Sequence, residues 1–317
     1  MKDGMKRTVF VEFKTMKHVW DQKTIAHIRI ARFAKDLLPC ADIVTTVEQF
    51  KKYWHKRIDN LVFVYGSRFG DFDLIKKFVE AHPESKIFWL INEYELTPNS
   101  TLKKIWDERG VHVISNFSKD FLSYKGFSEY DVINLNVSAY REDAIVIPPL
   151  ERKYDLLYFG RFRQDRKQYF KDYLEKAIIS TSKKNIPKWR GLLGKDGKYI
   201  DKVNWNGGKA FLRFFRYSLY LEDVFTHSHF SHLADRFYEA LSYGVLLLFD
   251  KNCKSTIELS GYPISGHQIV ENGKDMWEKI DHMNKNFDKF LDVQEALKKT
   301  YLEERETAKK KIIEVFK

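Results

Sequence analysis

The run "YDLLYFGRFRQDRKQ" (154–168) carries four cations just beyond an apolar stretch: Arg161, Arg163, Arg166 and Lys167. Its apolar half reads as a strand ending at Gly160, with a helix beginning a few residues later. In an open parallel sheet, ligands bind beyond the carboxyl ends of the strands, where helix N-termini present unpaired N–H groups to anions. Guanidinium groups add paired, charge-assisted hydrogen bonds to phosphate oxygens. The chemistry that fits is capture of a diphosphate. A merely solvated basic helix start is the plainer alternative, but it would set positive charge against the positive end of the helix dipole.

A second constellation lies in "DRFYEALSYGVLLLFD" (235–250). Arg236 and Glu239 are three apart and share one helix face, Gly244 ends the helix, and "VLLLF" enters the sheet. Arg236, near the helix start, could reach a diphosphate, and Glu239, one turn on, could accept from ribose hydroxyls. The competing reading is an intrahelical ion pair worth a few tenths of a kcal/mol. Alongside the arginine loop, a nucleoside diphosphate site is favoured.

Other candidates carry less. "DFD" (71–73) has the form of a metal-binding D-x-D, yet "GSRFG" separates it from the preceding apolar strand, and helix capping explains it better. In "HSHFSH", His227, His229 and His232 could hold zinc, but no cysteine or further spaced histidine completes a site; a loop lining the pocket is preferred. No metal site is expected. The stretch 187–209 interleaves Lys, Arg, Trp, Tyr and Gly, which suits either nucleic-acid contact or a nucleotide-base loop.

These groups need a scaffold. The 317 residues are comfortable as two domains, and an apolar fraction of 44% is enough for two cores. Strand-like and helix-like runs alternate: "RTVFVEF", "TIAHIRIARFAKDLL", "ADIVTTV", "LVFVYG", "DFDLIKKFVEAH", "KIFWLI", "TLKKIWDERG", "VHVIS", "AIVIPP". Such alternation is the signature of a parallel sheet covered on both faces. Prolines in "IPPLERK" mark a boundary, after which the pattern restarts with strand 154–160, helix 166–180, an irregular stretch 187–209 and helix 209–218.

The expected fold is α/β, with two Rossmann-like doubly wound domains facing a central cleft. Residues 1–149 would form an acceptor-binding domain and 150–290 a nucleotide-sugar domain. Residues 291–317 would form an amphipathic helix packing back on them. The net charge of +11 favours polyanionic partners. Two distant cysteines, no signal-peptide pattern and no run of roughly 20 apolar residues lead to the expectation of a reduced, cytoplasmic, membrane-free protein.

The R-x-x-E helix, small-residue turn and apolar strand resemble the nucleotide-sugar domain of GT-B glycosyltransferases. The four segments "IDNLVFVYGSRFGDFD", "SKIFWLINEYELTP", "DLLYFGRFRQDRKQ" and "DRFYEALSYGVLLLFD" resemble, in order and spacing, those of the DNA β-glucosyltransferases of T-even bacteriophages. The resemblance implies a UDP-sugar donor, UDP-glucose first, with Mg or Mn at most stimulatory. It implies, as acceptor, 5-hydroxymethylcytosine or 5-hydroxymethyluracil flipped from duplex phage DNA, an inverting reaction, and protection of the modified DNA from host nucleases. It assigns phosphate binding to Arg163 and Arg236, with Arg166 matching after a one-residue shift, and ribose binding to Glu239. Glu93, where the family uses Asp, takes the place of the general base, with Glu95 as competitor. Arg68, Lys103 and Lys104 would face DNA, and the protein would act as a monomer. The rivals are a GT-B enzyme acting on a cell-surface polysaccharide or protein, and a non-catalytic DNA-binding Rossmann protein.

Overall fold

The computed structural model describes residues 6–11, 34–44, 46–64, 72–91, 100–115, 117, 122–123, 127, 129–135, 152–160, 162–201, 208–222 and 233–317. The chain divides into two compact units, Met1–Glu142 with Glu304–Lys317, and Asp143–Glu303. Each contains a six-stranded sheet in which every described strand pairing is parallel.

The first unit holds β1 (Thr8–Val11), β2 (Ala41–Val44), β3 (Asn60–Val64), β4 (Lys86–Ile91), β5 (Val111–Ser115) and β6 (Asp131–Asn134), in the order β2-β1-β3-β4-β5-β6. "NLVFV" and "IFWLI" are buried at every position, as strands covered on both faces must be. Helices Phe72–Ala81 and Ser100–Arg109 follow β3 and β4. The last turn of the long helix Phe287–Phe316 seals this core. Phe316 meets Phe10 and Phe88 edge-on at 5.6 and 5.1 Å, and its carbonyl accepts from Asn60 Nδ2 at 2.9 Å.

The second unit holds β7 (Tyr154–Phe159), β8 (Ile178–Thr181), β9 (Lys198–Asp201), β10 (Phe215–Tyr220), β11 (Leu246–Asp250) and β12 (Ile269–Val270), in the order β12-β11-β10-β7-β8-β9. This is the Rossmann order, and it reverses between β7 and β10, the place in such sheets beyond whose carboxyl ends ligands bind. Tyr158, Phe170, Trp189 and Tyr217 anchor the core. Arg152 braces the amino end of this sheet: its guanidinium donates to Phe215 O at 2.7 Å and to Gly244 O, over the Phe287 ring. Burial pulls the Arg152 pKa down to about 10.

Three sequence expectations fail in this unit. The helix expected over 166–180 stops at Leu174, because Ile178–Thr181 enters the sheet as β8; branched side chains favour that. The irregular stretch from 187 holds a helix, Ile186–Leu193, and strand β9; Pro187 sits in its first turn, where a missing N–H costs nothing. The helix expected over 209–218 is a 3-10 segment, Gly208–Phe214, followed by strand β10, whose aromatic "FRYSLY" suits a pleated buried surface. "AIVIPP" lies outside the described residues.

Candidate functional site

The carboxyl ends of β7 and β10 lie side by side at the reversal point of the second sheet. Gly160 follows β7, and a Cβ there would sit 2.8 Å from the Tyr158 hydroxyl, so only glycine lets that tyrosine fold back over the strand end. Phe162 then anchors the loop, its ring meeting Trp189 at 4.9 Å and Phe170 at 5.8 Å. Arg163 is extended (φ −121°) and half-buried at the start of the 3-10 turn Gln164–Arg166, and the helix Lys167–Leu174 follows. The tight turn carries Arg166 inward, to 3% exposure.

Arg166 and Arg236 converge on the two residues that follow β10. Arg166 Nη1 donates to Leu221 O at 3.0 Å, and its Nη2 donates to Glu222 Oε2. Arg236 Nη1 donates to the same Leu221 carbonyl, also at 3.0 Å, and its Nη2 lies 2.9 Å from Glu222 Oε1. One buried carboxylate is thus gripped by two guanidiniums. The Glu222 side chain is 4% exposed and that of Arg236 15%, so Arg236 is the member with an edge toward solvent. Burial alone would disfavour charge on Arg236, but Glu222, with help from Tyr158 and Tyr220, outweighs it and raises its pKa.

The helix Asp235–Ser242 is held at its start by an unusual cap. Ala234 occupies the N-cap position and has no side-chain acceptor, so the buried Tyr220 hydroxyl accepts from Ala234 N at 2.7 Å. The Tyr220 ring also lies 5.6 Å from the Arg236 guanidinium carbon, a cation–π contact. Gly244, at φ +66°, closes the helix as its sequence position predicts, before β11. Glu239 is buried (4%) one turn beyond Arg236.

Arg163, Arg166, Arg236 and Glu239 therefore belong to segments flanking one strand-reversal point. The partner of Arg236 is Glu222 rather than the intrahelical Glu239 that spacing offers. Glu222 and Tyr220 escape a sequence reading because 209–218 reads as a helix. Placed in a strand, a carboxylate ending an apolar run at the carboxyl edge would have marked itself. Lys103 and Lys104 sit on helix Ser100–Arg109 in i,i+4 pairs, with Asp107 at 2.7 Å and Glu108 at 3.9 Å. Arg161, Glu93, Glu95, Arg68, Asp71 and the three histidines of "HSHFSH" lie outside the described residues. Asp73 is in the first turn of helix Phe72–Ala81.

No family model and no curated protein matches the sequence. Solved structures do match the fold. The T4 phage DNA-modifying enzyme β-glucosyltransferase superposes with a TM-score of 0.71 at 16% identity, covering 96% of this chain and 99% of that one. Anabaena Alr3699/HepE in complex with UDP gives 0.57 at 9% identity, over 97% and 99%. An α-glucosyltransferase in complex with UDP and a 13-mer DNA containing an HMU base gives 0.54 at 11%, over 96% and 95%. Two parallel six-stranded sheets with flanking helices, matched over nearly the whole chain, give this protein the two-domain GT-B glycosyltransferase fold.

Proposed function

We propose that the protein transfers a sugar from a UDP-sugar to the hydroxymethyl group of a modified pyrimidine in DNA. The observation that carries the reading is the pair of arginines brought together on Glu222 at the Rossmann reversal point. Arg163 lies half-buried in the adjacent loop. A leaving diphosphate gains negative charge as the glycosidic bond breaks, and fixed guanidiniums stabilise it without reorganising. Arg236 and Arg163 contact the phosphates in this reading, while Arg166 fixes Glu222 and through it Arg236. Glu239 accepts from the ribose.

In the reaction, the acceptor hydroxyl oxygen forms a bond to the anomeric carbon, and the bond from that carbon to the diphosphate breaks. UDP leaves with the electron pair. The hydroxyl proton passes to a carboxylate, for which Glu93, two residues past β4 in sequence, is our candidate and Glu95 the competitor. Attack opposite the leaving group inverts the anomeric centre. A divalent ion would assist the diphosphate as an addition to the arginines; T4 β-glucosyltransferase has been solved with UDP and Mn2+. DNA as acceptor is supported by the +11 charge and by the DNA in the α-glucosyltransferase complex. Among the described residues no helix is long and apolar enough to cross a membrane.

The test is nucleoside mass spectrometry after incubation with a panel of UDP-sugars and duplexes containing 5-hydroxymethylcytosine or 5-hydroxymethyluracil. A hexose- or pentose-sized mass gain on one base is expected. Absence of any gain, with UDP binding intact, would remove DNA as the acceptor.

A further inference from the structure

Residues 183–201, between β8 and the end of β9, carry Lys183, Lys184, Lys188, Arg190, Lys195 and Lys198 against only Asp196 and Asp201. That is a net +4 in nineteen residues of a chain whose whole excess is +11. All six cations are exposed, and among the described residues none of them makes an ion pair. Some lysines on the other helices are paired. Lys76, Lys103, Lys104, Lys254 and Lys274 each face a carboxylate four residues on.

The aromatic residues of the segment are not reading heads. Trp189 is fully buried, donates its indole N–H to Thr181 Oγ1 at 3.2 Å, and packs against Phe170 at 4.8 Å. Tyr199 is half-buried, 6.0 Å from the Arg190 guanidinium. Of the aromatic residues that suggest base stacking in the sequence, Trp189 is core and Tyr199 half-buried, Trp205 lies outside the described residues, and all six cations are exposed. Lys183 and Lys184 follow the carboxyl end of β8, the strand beside β7, so they share a sheet edge with the arginine loop. Lys188 and Arg190 lie on the helix Ile186–Leu193 on either side of the buried Trp189, and Lys195 and Lys198 follow in the turn to β9 and at its start, toward the other end of the sheet. Duplex DNA carries a charge about every 1.7 Å of its axis, so such a stripe meets several phosphates.

We infer that this face of the nucleotide-binding unit is a phosphate-backbone clamp for the duplex, holding DNA without reading its sequence. The inference rests on the DNA acceptor of the proposed function and assigns the surface that grips it.

The test is the variant Lys183→Gln/Lys184→Gln/Lys188→Gln/Lys195→Gln, all exposed positions away from the Glu222 cluster. Duplex binding is followed by fluorescence anisotropy across a salt series, with UDP binding by calorimetry as control. The expected result is unchanged UDP affinity, duplex affinity at least ten times weaker, and a log–log salt slope shallower by roughly 0.9 for each phosphate that the variant no longer neutralises. The weakening should be equal for unrelated duplex sequences. An unchanged slope and affinity in a variant that still glycosylates DNA overturns the clamp and leaves the enzyme reading standing. A wild-type protein that binds UDP but no duplex overturns both. Loss of binding to anionic phospholipid vesicles, with duplex binding intact, overturns the clamp in favour of a membrane.

Discussion

Replacing Glu222 by Gln removes one charge and leaves the shape. Two guanidiniums, one 4% and one 15% exposed in their side chains, would then face each other across a neutral amide. Breaking a buried ion pair from one side costs about 3–5 kcal/mol, because the remaining charge stays buried and uncompensated. Against a stability of roughly 5–15 kcal/mol, that leaves the unit folded but weakened. At roughly 2–4 °C per kcal/mol for a domain of this size, the melting temperature should fall by about 6–20 °C.

The diagnostic half of the prediction concerns UDP. A diphosphate brings the anion that the variant lacks, so binding recovers part of the cost. Recovery of half of it, about 1.5–2.5 kcal/mol, tightens UDP roughly ten- to seventyfold. Calorimetry gives the affinity, and thermal unfolding with and without UDP gives the linked stabilisation, which should be larger in the variant than in wild type. Inorganic pyrophosphate should act likewise, since the argument involves no base or ribose. A melting temperature within about 2 °C of wild type would refute the burial cost. Weaker UDP binding in a folded variant would refute the substitution of phosphate for carboxylate and make Glu222 a fixed support that the ligand needs.

Gly160→Ala drives a Cβ to 2.8 Å from the fully buried Tyr158 hydroxyl, and overpacking of that kind costs about 1–3 kcal/mol; adding Tyr158→Phe should restore part of the stability, and a double-mutant cycle without coupling would dispose of the clash. Tyr220→Phe removes the acceptor that caps Ala234 while keeping the ring under Arg236, so urea unfolding should show a loss of about 1 kcal/mol and UDP should bind severalfold more weakly as the Arg236 helix start loosens. Glu93→Gln should leave UDP affinity unchanged and lower turnover by roughly 10²–10⁴ in a single-turnover glycosylation assay; full activity would pass the base role to Glu95. Asp275 accepts from Glu271 N at 2.9 Å and Lys279 Nζ at 3.0 Å, and although burial opposes its ionisation these donors hold its pKa below 3.8. A carboxylate depressed in the folded state stabilises above its unfolded pKa and loses that contribution as pH falls through the folded one. Asp275→Asn should therefore cost about 1 kcal/mol at pH 7 in denaturant titrations, with the difference from wild type shrinking as pH falls through the depressed folded-state pKa.

What can be read from the sequence divides along the range of the interaction concerned. Alternation of apolar strands with amphipathic helices is local, and it leads to two doubly wound sheets. Gly160 and Gly244 are local too: a turn after an apolar run needs a small residue whatever lies beyond. Arg236 is legible because a helix start near a sheet edge favours anions. Its true partner is not, because Glu222 comes from another strand, and only pairing β10 beside β7 brings Leu221 and Glu222 under both arginines. Two of the misread strands share one cause. "IIST" and "FRYSLY" each follow a helix or 3-10 segment with no proline or glycine between, so the change of period has no punctuation and sheet pairing alone decides it. The same reasoning turns the basic stretch from ambiguous to specific. Sequence shows Lys, Trp and Tyr interleaved, which suits stacking on bases; burial takes Trp189 into the core and leaves the lysines unpaired outside. In the proposed reading the exposed cations hold DNA through its phosphates, and sequence selection falls to the pocket that takes the acceptor base.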